Sequence, residues 1–274
     1  MAFLAHPALR CPLDGLPLTQ NQSSLACAEG HGFDIGKPGY ANLLGAQDKR
    51  SRAPGDSRDM VAARSAFLGA RFYEPIADAL MTKIMTRLDT GITVVDAGCG
   101  EGYYLDWIQN AAPVPVNTIG FDISKWAVQR AAKRCDGTWL VASNRRVPLE
   151  DSSADVLLDM FGFPDYGSFL RILVPGGALI RITPAANHLI ELRKIIYPAL
   201  KEQPERASYP ALLGIESHNR ITYQVDLQSD DIANLLLMTP HMFRAPKDGL
   251  IKATSLAELS VTIDVAIDVL TLTT

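Results

Sequence analysis

The 274-residue sequence contains no apolar run approaching the roughly 18 residues that cross a bilayer, so no helical membrane span is expected. Cysteine is scarce. Four residues (Cys11, Cys27, Cys99, Cys135) are too few and too unevenly placed for a disulfide framework, and reduced thiols are expected. An excess of positive charge is also missing. A net charge of −4 argues against a surface coated for indiscriminate nucleic-acid binding and leaves room only for local basic patches. The opening MAFLAHPALR lacks the long apolar core and small-residue cleavage pattern of a signal peptide, and a cytoplasmic protein is expected. No internal repeat or low-complexity tract is present.

What is there is the composition of a soluble globular protein, 47 % hydrophobic and 20 % charged, long enough for a sizeable core. Residues 1–45 are rich in Gly, Pro and polar residues, bury little apolar surface alone, and call for a staple. Within them, Cys11, Cys27 and His31 have the spacing of a four-ligand zinc knuckle, but Asp14 stands where a second thiolate would follow Cys11. His6 is a conceivable alternative ligand. Residues 46–59 read as a basic linker or loop, and 60–274 as the main domain. Two helices around Met60–Leu68 and Ile76–Leu88 precede an alternation of elements. Strands are expected at 93–96, 118–122, 139–142, 154–160 and 178–183, with helices at 103–111, 125–135 and about 167–173 between them. A helix at 187–198, strands at 221–225 and 258–269, and a helix at 229–237 complete the chain. Continuous apolar strands alternating with helices imply an α/β fold whose mostly parallel, seven-stranded sheet is covered on both faces.

The most informative run is VVDAGCGEGYY, Val94 to Tyr104. Gly98, Gly100 and Gly102 allow tight turns and close approach of a ligand between a strand and a helix. The spacing is GxGxG and not GxGxxG, and Asp96 just before it would repel a pyrophosphate, which argues against a dinucleotide. An acid there suits a cationic ligand such as S-adenosylmethionine, with Glu101 and Tyr104 in the same loop. Asp122, ending the next strand, suits two ribose hydroxyls, and Asn144 suits the adenine. Together with the Pro175-Gly176-Gly177 turn, this pattern resembles a class I (Rossmann-like) methyltransferase.

Four longer stretches carry a closer resemblance: Gly39–Leu68, Asp96–Tyr104, Pro184–Leu192 and Leu235–Ala245. They resemble the bacterial large-subunit (23S) ribosomal RNA guanine-N1 methyltransferases, one branch of which confers macrolide resistance. KRSRAPGDSRDMVAARSAFL is the most specific of these motifs. The resemblance implies a small N-terminal zinc-ribbon-like module for RNA recognition, with ligands here at Cys11, Asp14, Cys27 and His31, a set that zinc accepts. It also implies cofactor contacts from Tyr73 and His188, which on their own would read as core residues, and a homodimer. The family's aromatic-small-Pro-Cys run is replaced here by Phe161-Gly162-Phe163-Pro164.

A guanine N1 lies inside a Watson–Crick pair, so such an enzyme must take an unpaired or flipped base and hold it against an apolar wall. Phe161, Phe163 and Tyr166 are candidates for that wall. Lys49, Arg50, Arg52, Arg58, Arg145 and Arg146 are candidates for phosphate contacts or are ordinary solvated charges. Asp159 or Asp165 would accept the N1 proton, or both are surface charges. A class I methyltransferase acting on a small molecule, and a non-catalytic RNA- or ribosome-binding relative, are the alternative functions.

Overall fold

The computed structural model describes residues 2–45, 54–88, 91–200 and 208–273. The first of these segments forms four short strands, β1 (Thr19–Asn21), β2 (Ser24–Ala26), β3 (Gly32–Gly36) and β4 (Tyr40–Asn42). Helices α1 (Arg58–Gly69) and α2 (Glu74–Met85) follow. Ser57 caps α1 by accepting the Met60 N–H, and Pro75 stands in the first turn of α2, where its missing donor is no loss.

The expected alternation then runs β5 (Thr93–Ala97), α3 (Tyr103–Ala111), β6 (Asn117–Asp122), α4 (Lys125–Arg134), β7 (Thr138–Val141), β8 (Ala154–Met160), α5 (Tyr166–Ile172) and β9 (Leu173–Pro184). The remaining elements are α6 (Ile190–Ile196), β10 (Leu213–Gln228), α7 (Ser229–Leu237), α8 (His241–Arg244), α9 (Lys247–Thr254) and β11 (Glu258–Leu272).

The seven strands expected from the sequence lie in the order β7-β6-β5-β8-β9-β11-β10. The first five are parallel, and β11 runs antiparallel to both of its neighbours. The sheet does not stop at seven. β4 joins β7 in parallel, and β3, β2 and β1 continue outward from it as an antiparallel ribbon, giving eleven strands among the described residues.

The two faces of the sheet are covered differently. Val94, Leu158 and Ile180 share one core with the apolar sides of α1 to α4, α6 and α7. On the other face, Val95, Ile119, Phe121 and Leu157 pack with α5 and with Leu9, Leu18 and Leu25 of the N-terminal segment. Those three leucines are 0 to 4 % exposed. The N-terminal residues therefore bury their apolar side chains against β5–β7, doing there what a helix does elsewhere in the fold. This supplies the staple that so polar a segment needs.

Chain order reverses at β5: β6 and β7 lie to one side of it, β8 and β9 to the other. In an open parallel sheet this reversal opens a crevice at the carboxyl ends of the strands. Among the described residues, no helix is long and apolar enough to cross a membrane.

Candidate active site and metal centre

The crevice holds a cavity of about 780 Å³. The glycine loop between β5 and α3 forms its floor, with φ of +81°, +53° and +81° at Gly98, Gly100 and Gly102. These angles favour glycine, but the three residues differ in what surrounds them. A Cβ on Gly98 would meet nothing within 4 Å, and one on Gly100 only Arg64 Cδ, at 3.6 Å. One on Gly102 would lie 2.9 Å from the Ala131 Cβ. The first two glycines present bare backbone to a ligand, and the third lets α3 pack close to α4. Asp122 ends β6 and ties the loop down, Oδ2 accepting the Gly100 N–H at 3.0 Å and Oδ1 the Ser124 N–H at 2.7 Å.

Of the expected cofactor residues, Tyr73, Gly98, Gly100, Glu101, Tyr104, Asp122 and Asn144 line this cavity. Asp96, Gly102 and His188 do not. Asp96 is fully buried at the end of β5, and neither of its carboxylate oxygens has a hydrogen-bond partner. Burial, aided by the charges of Asp122 and Asp159, pushes its carboxyl up to about 8. Because the folded value lies above the unfolded one, its contribution to stability is complete below about pH 4 and lost as pH rises through about 8. The melting temperature of the ligand-free protein is expected to fall between about pH 5 and about pH 8, and to fall less in Asp96→Asn. Equal slopes in the two proteins would remove Asp96 as the cause. An orphaned acid under an open glycine cradle is what a cationic ligand such as S-adenosylmethionine requires, and the residues present fit that group.

His188 stands behind the cavity wall. Its Nδ1 accepts the Asp264 N–H at 3.2 Å, which leaves the proton on Nε2, 3.4 Å from the Tyr73 hydroxyl. Burial holds it down to about 4, so the ring is neutral. Phe161 closes a triangle of rings with Tyr73 and His188, its centroid 5.7 Å from the first and 5.8 Å from the second, which are 6.3 Å from each other. It does so with φ of +56°, a conformation costly for a residue with a Cβ. Asn144 donates to the Phe163 carbonyl at 2.8 Å, holding the loop that leaves the Phe163 ring 80 % exposed at the cavity rim.

Tyr166 is not part of that wall; its hydroxyl accepts from Arg181 Nη1 at 2.8 Å. Asp165 lines the cavity and caps α5 by accepting the Ser168 N–H. Asp159 is neither a surface charge nor part of the cavity wall. It is fully buried, Oδ2 bonded to Arg181 Nε at 2.6 Å, while Oδ1 has no partner and backs onto Gly162. A Cβ at Gly162 would come within 2.1 Å of that oxygen. The pair continues across the sheet: Asp159, Arg181, Asp268 and His218 are in register on β8, β9, β11 and β10. Asp268 accepts from Tyr209 and lies 2.5 Å from His218, while the Tyr166 and Tyr209 rings flank the Arg181 guanidinium at 5.8 Å each.

In the N-terminal segment, ligand atoms of Cys11, Asp14, Cys27 and His31 lie within 4.8 Å of one another. Asp14 Oδ2 is 2.8 Å from His31 Nδ1 and 3.2 Å from Cys27 Sγ, and its Oδ1 accepts the Leu16 N–H. That bond, above all, keeps the carboxyl below its ordinary range and aims one oxygen at the other three donors. Two sulfurs, one imidazole nitrogen and one carboxylate oxygen are a tetrahedral zinc donor set, so the residues fit the metal. His6 is not part of this cluster; it lies 3.3 Å from the Thr93 hydroxyl.

A groove of about 690 Å³ runs beside the cluster, lined by Cys11, Arg10, Arg145, Arg146 and Arg171 among others. Arg10 is paired with Glu150 at 2.5 Å and Arg171 with Asp151 at 2.7 Å. Arg145 and Arg146 are exposed, and Arg145 lines both groove and cavity. Arg58 is exposed on α1, outside both, and Lys49, Arg50 and Arg52 lie outside the described residues.

The glycine cradle, the acids ending β5 and β6, and the reversed strand order define a class I S-adenosylmethionine-dependent methyltransferase. A family model for a methyltransferase domain matches residues 94–177, and the zinc-ribbon model described as "RlmA, N-terminal" matches residues 9–52. YxjB of Bacillus subtilis (strain 168), which carries the name of a 23S rRNA (guanine-N(1)-)-methyltransferase, is 33 % identical over 94 % of this chain and 95 % of its own. A Micromonospora griseorubida protein with a name of the same type is 38 % identical over 68 % of each chain. The 23S rRNA (guanine(748)-N(1))-methyltransferase of Streptomyces fradiae is 35 % identical over 67 % of this chain and 66 % of its own. The chain belongs to the 23S rRNA (guanine-N1)-methyltransferase family.

Two parts of the site escaped the sequence reading. Arg64 and Asp56 enter the cavity from the segment before the glycine strand, paired at 2.9 Å. Both fall inside the specific KRSRAPGDSRDMVAARSAFL motif, which was the available signal. Arg10 and Arg171, which build the groove, carried none.

Proposed function

We propose that the protein methylates N1 of a guanine in a hairpin of large-subunit ribosomal RNA, with residues 1–45 recognising the RNA and residues 60–274 binding the cofactor. The observation that carries this reading is the sharing of Arg145 between the cavity and the groove beside Cys11. One RNA segment can thereby touch the metal-type module and place a base in the cavity.

S-adenosylmethionine, when bound, supplies an electrophilic methyl group on a sulfonium. The chain's own residues do the rest. Gly98 and Gly100 would give the cofactor backbone contact, Asp122 would accept from its ribose, and Asn144 would read the adenine edge. Phe161 and Phe163 flank the base, and positioning of this kind is a large part of the rate in such a transfer. Of the two candidate carboxylates only Asp165 lines the cavity, which supports it as the acceptor of the N1 proton. Arg145 and Arg146 contact phosphates on either side of the extruded nucleotide, so binding weakens with salt.

The test is methylation of 23S ribosomal RNA by the purified protein with labelled cofactor, followed by nucleoside mass spectrometry. N1-methylguanosine in the RNA is expected. Methylation of a small molecule with no RNA dependence would favour the small-molecule reading, and cofactor binding without any transfer the non-catalytic one.

Cys11, Asp14, Cys27 and His31 would hold the zinc, and its chemistry there is structural. Protein purified without chelator is expected to carry about one equivalent of zinc. Release to a chromogenic chelator is expected to be at least about tenfold slower in Asp14→Cys, since a thiolate is the softer ligand. Less than about a tenth of an equivalent would refute metal binding by this set.

A further inference from the structure

Arg64 stands on α1 beside the glycine loop. Its Nη2 donates to Asp56 Oδ2 at 2.9 Å and to the Met238 carbonyl at 3.0 Å, which fixes one end of the guanidinium. Its Nε is buried with no hydrogen-bond partner. Nη1 makes no hydrogen bond among the described residues. The side chain is 28 % exposed, and Arg64 lines the cavity next to Gly100. A cation whose Nη2 is clamped and whose Nη1 is free, at the wall of a cavity, is set to receive an anion.

The cavity's charges indicate which anion. Among the described residues, its lining contains two arginines, Arg64 and Arg145, against four acids, Asp56, Glu101, Asp122 and Asp165. Arg145 follows Asn144 at the adenine end and faces the groove. Arg64 lies over the bare backbone of Gly100, close enough to Asp122 for its charge to act on that carboxyl. S-adenosylmethionine carries one negative group, the α-carboxylate of its amino-acid tail. Placed among four acids without a cation, that carboxylate would be repelled and stripped of water with nothing in return. With both Nη2 protons committed to Asp56 and Met238, the free Nη1 offers a carboxylate oxygen a charge-assisted hydrogen bond.

We infer that Arg64 binds the α-carboxylate of the cofactor and so sets where the methyl group points. This rests on the reading of the cavity as the S-adenosylmethionine site. Asp56 and the Met238 carbonyl act through Arg64, holding its plane from behind.

The test compares two ligands by calorimetry on the full chain. S-adenosylhomocysteine has the amino-acid tail; 5′-methylthioadenosine keeps the adenosine and the sulfur but lacks that tail. In Arg64→Met, the Kd for S-adenosylhomocysteine is expected to rise roughly 10- to 100-fold, while that for 5′-methylthioadenosine stays within about threefold. Arg64→Lys, which keeps the charge but has no donor to hold in the Nη1 position, is expected to fall between, and serves as the test variant if methionine prevents folding. Equal losses for both ligands would mean a structural role, and no loss for S-adenosylhomocysteine would mean no contact; either overturns the inference. Failure of the wild-type protein to bind S-adenosylhomocysteine would instead overturn the cofactor reading on which it rests.

Discussion

Arg181→Met is expected to destabilise the protein by about 3–5 kcal/mol, the usual cost of removing one partner from a buried ion pair. Asp159 is fully buried and Arg181 only 8 % exposed, so no water replaces the lost guanidinium. One carboxylate oxygen of Asp159 already lacks a partner. Burial raises the Asp159 carboxyl and Arg181 opposes that rise. Without the arginine the folded value climbs further, so the variant loses more stability as pH increases from about 5 to about 8. Denaturant unfolding at both ends of that range checks the sign. The double variant Asp159→Leu, Arg181→Met is expected to recover most of the loss, because the cost lies in the uncompensated charge and not in the missing contact. A single variant within about 1 kcal/mol of wild type would show that the pair contributes little.

The largest functional effect is expected at Asp122. Asp122→Ala removes the acceptor for two backbone donors, Gly100 N–H and Ser124 N–H, and with it the tie between β6 and the glycine loop. It also removes the carboxylate proposed to accept from the cofactor ribose. Hydrogen bonds to a charged group are worth about 1.5–3 kcal/mol each, so losing the two proposed to the ribose hydroxyls raises the cofactor Kd by a factor on the order of 10²–10⁴. Fluorescence or calorimetric titration with S-adenosylhomocysteine reads this directly. Asp122→Asn keeps one acceptor and is expected to lose less. A Kd for Asp122→Ala within about fivefold of wild type would remove Asp122 from the site.

These two residues mark what was legible in the sequence. Asp122 was, because a glycine loop constrains backbone and an acid ending the next strand follows it at a short, recognisable distance. The elements around it were also plain: α3 and β8 match their expected bounds at Tyr103–Ala111 and Ala154–Met160. Arg181 was not legible as a partner of Asp159, since only the β8–β9 register brings the two together.

β1, β2 and β4 have three residues each, too few to show a period, and of the three only β4 pairs with β7. β10 was expected over 221–225 and runs from Leu213 to Gln228. It is an edge strand, half-solvated along most of its length, so apolar alternation is faint. α9 was missed because Gly249 and polar residues interrupt its pattern. The glycine is there because a Cβ would come within 2.2 Å of the Ile196 carbonyl oxygen.

The placement of Leu9, Leu18 and Leu25 against β5–β7 has a consequence for synthesis. These residues emerge from the ribosome well before Val95, Ile119 and Phe121, the side chains that cover them. The nascent N-terminal segment therefore waits with its apolar side unshielded, and it is too short to hide that side within itself. Closing the Cys11, Asp14, Cys27 and His31 donor set on a metal needs only residues already made. Coordination would hold the ribbon in shape through that interval, so zinc starvation is expected to lower the yield of soluble chain more than it destabilises protein already folded.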